Sequence, residues 1–137
     1  YSIDIITKET TQLTNTPDAQ DIPSDISPDG KRILFNANRN HGQMNLYSLH
    51  LETKDVVQIT THENPAGGGK YTKDGSLIAY VTNEEKNLVN SDIYLIKPDG
   101  TGMKRAVQLK VGSQESFSDW SENGHFFVEF SEIFREK

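Results

Sequence analysis

Residues 27–35 read Ser27-Pro28-Asp29-Gly30-Lys31-Arg32-Ile33-Leu34-Phe35, a tight turn running straight into an apolar stretch of high strand propensity. Asp-Gly between two apolar runs is the strongest short-range hairpin signal, and a two-residue type I′ turn places both central residues at positive φ. The signal recurs. Thr72-Lys73-Asp74-Gly75 leads into Leu77-Ile78-Ala79-Tyr80-Val81, and Ser121-Glu122-Asn123-Gly124 leads into Phe126-Phe127-Val128. Short polar side chains tolerate positive φ and hydrogen-bond the nearby backbone. Asp29, Asp74 and Asn123 therefore read as turn formers rather than as ligands.

The hairpins sit inside a longer repeat. Tyr1-Ser2-Ile3-Asp4-Ile5 is followed 46 positions later by Tyr47-Ser48-Leu49-His50-Leu51. The same offset carries Thr7-Lys8-Glu9 onto Thr53-Lys54-Asp55 and Gln12-Leu13-Thr14 onto Gln58-Ile59-Thr60. A looser third copy sets Tyr94-Leu95-Ile96 against Tyr47-Ser48-Leu49 and Val107-Gln108-Leu109 against Val57-Gln58-Ile59, its extra residues falling in the turn at 97–102. Each period holds four short apolar segments bounded by Gly, Pro, Asn or Asp, which predicts strands over 22–27, 31–37, 45–51 and 55–60, then over 69–72, 76–82, 92–97 and 104–109. No stretch reads as a helix: 84–89 is too short and polar, and 131–137 reads as a helical turn or the start of another strand.

Four strands in about 45 residues, repeated, is the pattern of β-propeller blades. Runs such as Ile33-Leu34-Phe35 and Leu77-Ile78-Ala79-Tyr80-Val81 are continuous rather than alternating, as expected of strands covered on both faces. The expectation is a single all-β domain over 1–137 made of a half-blade at 1–14, blades at 21–60 and 67–109, and a half-blade at 114–131. That is three blades' worth, and closed propellers use at least about four. Either the chain is a segment of a longer propeller, or two chains join head to tail, each inner pair completing the other's outer pair in a six-bladed ring and sealing the exposed sheet edges.

Composition narrows the partners. With 14 basic and 20 acidic residues the formal charge is −6, which argues against nucleic acid. Hydrophobic residues make up 34%, low for a self-contained domain. There are no cysteines, which removes disulfide and thiolate chemistry and favours neither redox compartment. No apolar run approaches the roughly 18 residues of a bilayer span, so membrane insertion is not expected. The sequence opens at Tyr1 rather than Met, which reads as a processed protein or a piece of a longer one.

Ser27-Pro28-Asp29-Gly30-Lys31-Arg32-Ile33-Leu34-Phe35, Asn38-Arg39, Asn45-Leu46-Tyr47 and Gln58-Ile59-Thr60 together resemble the blades of TolB-like propellers, also found in the propeller domains of prolyl-oligopeptidase-type serine peptidases. The second copy keeps Asp74-Gly75, Ser91-Asp92-Ile93-Tyr94 and Gln108-Leu109, and the third keeps Trp120-Ser121 and Asn123-Gly124. The copies depart at the aromatic position, which is Ile26, Tyr71 and Trp120 in turn, and at Pro28, replaced by Lys73 and Glu122. The resemblance implies a six- or seven-bladed ring, in an exported or periplasmic binding scaffold or in an accessory domain beside an enzyme. Fold alone gives no function.

Catalytic motifs are missing. Gly67-Gly68-Gly69-Lys70 is followed by Tyr71 and a strand, whereas a phosphate loop needs Ser or Thr and a helix there. The glycines instead suit a close backbone approach or a bulge, with a lesser case for binding. His41, His50, His62 and His125 are dispersed; His50 aligns with Asp4 and His125 with Lys31, and no zinc-peptidase spacing follows His62-Glu63. One TolB-like relative, the oligogalacturonate lyase family, uses channel histidines on a metal, but no matching motif stands in this sequence. No metal or cofactor is expected. Gly-x-Ser-x-Gly is absent as well. What remains are the residues opening the innermost strands, Asp21, Asp25, Gly68, Lys70, Glu115 and Asp119. They would form a mainly acidic channel rim suited to a cationic or hydrogen-bonding partner. The expected function is a non-catalytic protein- or ligand-binding scaffold, with self-association or a protein as partner. The alternative is a propeller accessory to a serine peptidase or polysaccharide-active enzyme whose catalytic residues lie outside this chain.

Overall fold

The computed structural model describes residues 1–39, 42–83, 91–106, 113–121 and 123–132, with 113–118 and 126–132 described by their backbone. These residues form strands and turns and no helix. An outer hairpin, β1 (Ser2–Ile3) with β2 (Thr10–Thr11), comes first. A four-stranded antiparallel sheet follows, in the order β3 (Asp21–Ile26), β4 (Arg32–Ala37), β5 (Asn45–His50) and β6 (Val56–Gln58). A second repeats it with β7 (Ala66–Tyr71), β8 (Ile78–Thr82), β9 (Asp92–Ile96) and β10 (Lys104–Arg105). The pair β11 (Ser113–Trp120) and β12 (Phe126–Glu132) closes the series. The expectation for 84–89, half of that for 104–109 and most of that for 131–137 lie outside the described residues.

The 46-residue offset of the sequence is also an offset of hydrogen bonds. Ser2 faces Thr11 and Ile3 faces Thr10 in the first hairpin, while Ser48 faces Val57 and Leu49 faces Val56 in the first sheet. Lys8 and Lys54 take the same left-handed conformation, φ 64° and 65°. The Asp4 carboxylate accepts from the Ile6 and Thr7 amides, both at 2.8 Å, and His50 Nδ1 accepts from Glu52 and Thr53, both at 3.3 Å. A carboxylate and an imidazole thus perform one task, which explains why His50 stands where Asp4 does.

The innermost strands repeat as well. Each carries an irregularity at the same point, between Pro23 and Asp25, between Gly67 and Lys70, and between Phe117 and Trp120. In β7 the irregularity is built by glycine: Gly68 sits at φ +66°, open to any side chain only at a conformational cost. The strand therefore begins at Ala66, earlier than the sequence pattern suggested, because residues without side chains still pair through their backbones.

The Asp-Gly turns are not type I′. Gly30, Gly75 and Gly124 have φ of 70°, 71° and 84°, but Asp29, Asp74 and Asn123 are not at positive φ. The Gly30 amide donates to the Ser27 carbonyl at 2.8 Å, and Gly75 to Thr72 at 2.8 Å. Each is a four-residue turn with glycine alone in the left-handed region, the geometry of a longer hairpin loop. The side chains hold it. Ser27 Oγ donates to Asp29 Oδ1 at 2.6 Å and accepts from the Arg32 amide at 2.9 Å; Thr72 does the same with Asp74 at 2.6 Å and Leu77 at 3.0 Å. The third turn is one residue shorter, since the Ser121 amide reaches the His125 carbonyl where Ser27 reaches Arg32. His125 accordingly occupies the place of Arg32 rather than that of Lys31.

The main core lies between the two full sheets. Leu34, Leu46 and Ile59 of the first meet Ala66, Tyr71, Ile78, Tyr80, Tyr94 and Ile96 of the second, all buried. A second cluster, Phe35, Ala37, Tyr47 and Leu49, occupies the opposite face of the first sheet, with Leu13 against it. Both faces of the β4 strand are thereby covered, as its unbroken apolar run required.

Candidate functional site on the innermost strands

β3 and β7 bring Asp25 and Lys70 together, with Gly68 two residues before Lys70 on the same strand. Asp25 is central. Its Oδ2 accepts the backbone amide of Tyr71 at 2.8 Å, and its Oδ1 lies 4.0 Å from the Lys70 ammonium. About a quarter of each side chain remains accessible, 24% for Asp25 and 28% for Lys70. Gly68 is exposed beside them on the same strand. Tyr71 pairs with Ile78 next to the Thr72–Leu77 hydrogen bond, so in the alternation of an antiparallel ladder its amide points out of the edge strand β7, where the neighbouring sheet can bind it.

Asp21 begins β3 and is engaged elsewhere. Arg39 grips it with two nitrogens, Nε at 3.0 Å from one carboxylate oxygen and Nη2 at 2.5 Å from the other. The guanidinium also lies 5.0 Å from the Phe35 ring centre and 5.5 Å from that of Tyr47, a stacked, bidentate arrangement that only arginine supplies. Burial would push the Asp21 carboxyl up, but hydrogen bonds from Arg39 and Thr14 and the guanidinium charge outweigh it and hold the carboxyl below its usual value. Arg39 was not among the predicted site residues; its spacing of 18 from Asp21 carries no motif.

Asp119 is exposed near the end of β11, and its side chain receives the Trp120 amide at 2.8 Å. Glu115 lies on β11, and its side chain is outside the described residues. The acids of the turns are held by their own loops. Asp74 is lowered to about 2 by the Thr72 hydroxyl first and then by Ser76. Asp29 is lowered by Ser27 and the Lys31 amide, and Asp99 by Thr101.

The three described histidines remain apart. His50 caps a turn, His62 Nε2 lies 2.9 Å from the buried Tyr80 hydroxyl, and His125 is exposed. His41 lies outside the described residues, among which no group of three or more His, Cys, Asp and Glu could hold a metal ion. No helix among the described residues is long and apolar enough to cross a membrane. Where the 15–20 connection passes the first sheet it leaves a cleft of about 640 Å³, lined by Thr16, Pro17, Asn38, Arg39, Tyr47 and Gln58. The buried Tyr47 hydroxyl has no hydrogen-bond partner there.

No family model matches the chain. An uncharacterized protein of Agrobacterium fabrum is 30% identical over 135 residues, a match that covers 93% of this chain and 45% of that protein. Among solved structures, a protein assigned as a TolB from Agrobacterium tumefaciens superposes with a TM-score of 0.75 at 22% identity, over 96% of this chain and 50% of that one. TolB from Acinetobacter baumannii gives 0.71 at 22%, over 96% and 34%. An oligogalacturonate lyase in complex with manganese gives 0.69 at 17%, over 89% and 38%. The chain spans about half the length, or less, of the proteins it matches. What these likenesses share with the repeated four-stranded sheets is the fold: the chain is built as blades of a TolB-like β-propeller.

Proposed function

We propose that the chain is a non-catalytic binding or scaffold module, and that the inner-strand surface around Asp25, Gly68 and Lys70 is where a hydrogen-bonding or cationic segment of a protein partner is received. The disposition of the acids carries this reading. Asp29, Asp74 and Asp99 hold their turns and Asp21 holds Arg39, whereas Asp25 and Lys70 keep accessible surface beside an exposed glycine backbone. A net charge of −6 favours a cationic partner, and Asp119 would extend the same surface on the next inner strand.

Titration of the purified chain with a lysine-bearing peptide, followed by amide NMR, tests the proposal. Shifts confined to residues 22–26 and 67–71 are expected, with no turnover of a peptide ester or an oligogalacturonide in the presence of manganese. Unchanged spectra, or cleavage of either substrate, would contradict it. A second reading, a propeller accessory to an enzyme, is supported by the likeness to an oligogalacturonate lyase. It predicts the same lack of turnover by this chain, but binding of an oligogalacturonide rather than of the cationic peptide.

A further inference from the structure

The two full sheets differ where each meets the connection that enters it. Tyr47 faces Gln58 across β5 and β6, and Tyr94 faces Arg105 across β9 and β10. Arg105 pairs with Asp92 and lies 5.8 Å from the centre of the Tyr94 ring. On the connection before the second sheet, His62 Nε2 lies 2.9 Å from the Tyr80 hydroxyl. The first sheet has a smaller side chain at each of these places. Gln58 stands where Arg105 does, and its Nε2 donates to the Thr60 carbonyl at 2.8 Å. Thr16 precedes His62 by the 46-residue offset, and Phe35 faces Tyr47 as Tyr80 faces Tyr94. The cleft of about 640 Å³ lies here. Tyr47, which lines it, is 3% exposed, and its buried hydroxyl has no partner among the described residues. A buried hydroxyl without a partner calls for one. All the residues involved belong to the first sheet or to the connection that enters it.

We propose that this cleft binds a neutral, hydroxyl-rich small molecule with one apolar face, of the size of a single sugar ring. The charge of the site sets the first property. Arg39 is neutralised by its bidentate pairing with Asp21, and the exposed Asp18 adds a negative charge to the lining. An anion therefore meets no unpaired positive charge in Arg39 and a like charge in Asp18. The polar atoms set the second property. Nε and Nη2 of Arg39 hold Asp21, which leaves Nη1 to donate. Asn38 Oδ1 accepts the Gln20 amide at 2.6 Å, which leaves the Asn38 NH2 to donate. Gln58 gives its Nε2 to Thr60, which leaves Oε1 to accept, and the Tyr47 hydroxyl does either. Donors and acceptors set side by side suit hydroxyl groups, each of which is both. Pro17 and Val56, the latter 40% exposed, supply the apolar wall. An apolar surface with a few placed polar groups is the ordinary make-up of a small-molecule site.

Glucose is the probe, with glucuronate as its charged match. Amide NMR of the 137-residue chain titrated with glucose is expected to give saturable shifts at residues 16–19, 38, 39, 47 and 58. Glucuronate is expected to bind about tenfold more weakly, the worth of one hydrogen bond. Tyr47→Phe is expected to lower the affinity for glucose by a similar factor. Its urea midpoint is expected to stay level or rise, because the hydroxyl removed has no partner in the protein. Gln58→Arg sets opposite Tyr47 the side chain that stands opposite Tyr94, and is expected to abolish binding. Four results would overturn the proposal: no saturable shifts with glucose; glucuronate binding as well as glucose; a Tyr47→Phe protein that binds like the parent or unfolds at lower urea; or shifts at residues 22–26 and 67–71 in place of those around the cleft. The last would put the sugar on the inner strands.

Discussion

The carboxylate of Asp25 on one blade holds the backbone amide of Tyr71 on the next, at 2.8 Å, across 46 residues of sequence. A backbone donor pointing out of the edge strand β7 would otherwise be left unsatisfied near the core, and an acid on the neighbouring sheet prevents that. The interaction ties the innermost strands of successive blades together, so its removal is felt as lost stability.

Asp25→Ala is expected to cost about 1–2 kcal/mol, the lower part of the range for a hydrogen bond to a charged group because the site is partly solvated. Asp25→Asn keeps an acceptor and is expected to lose less. Urea unfolding of the three proteins checks the order.

Gly69 packs directly on the first blade. A Cβ there would stand 2.6 Å from Leu34 Cδ2 and 2.9 Å from Leu46 Cδ2. Both are side-chain ends in the main core, able to shift only by disturbing their neighbours. Gly69→Ala is expected to destabilise by about 1–3 kcal/mol. Gly30→Ala meets nothing within 4 Å but requires φ near +70°, so its cost of about 1 kcal/mol is conformational. A Gly69→Ala protein as stable as the parent would mean that the blades do not pack this closely.

Arg39 joins a bidentate ion pair to two aromatic rings. Arg39→Lys keeps the charge and loses the fork and the stacking. A loss of about 1–2 kcal/mol is expected, with Arg39→Ala losing more, measured by thermal or urea unfolding at neutral pH.

The turn acids give the fold an acid limit. Asp74 has an ordinary value of 3.8 and is lowered to about 2 when folded, so it binds protons more weakly folded than unfolded. Its contribution is fully present above about 3.8 and is lost as pH falls through about 2. Asp29 and Asp99 act in the same direction. Asp74→Asn is expected to flatten the decline in unfolding free energy between pH 5 and pH 2, and to leave a smaller difference between those two pH values than the parent shows.

Much of this architecture is legible in the sequence, because strand propensity, turn residues and a 46-residue period are local or periodic properties. The turn type was not: Asp-Gly is shared by short and longer hairpin loops, and only the hydrogen bond from Gly30 to Ser27 decides between them. The site was legible to the level of strands. Sequence position puts Asp21, Asp25, Gly68 and Lys70 on inner strands, but Asp21 is taken by Arg39 and Asp25 by Tyr71. Those pairings depend on where a bulge turns the chain and on which loop folds back, and no residue pattern along one strand records either. A glycine run on an inner strand suits a bulge or a close approach; Gly68 makes the first and Gly69 the second.

The central claim is that the inner-strand surface around Asp25 and Lys70 receives a cationic segment of a partner. Titration of the parent chain and of Asp25→Asn with a lysine-bearing peptide, followed by amide NMR, tests it most directly. The account predicts saturable shifts at residues 22–26 and 67–71 in the parent and weaker binding by the variant. No binding by the parent, or equal binding by the two proteins, would contradict it.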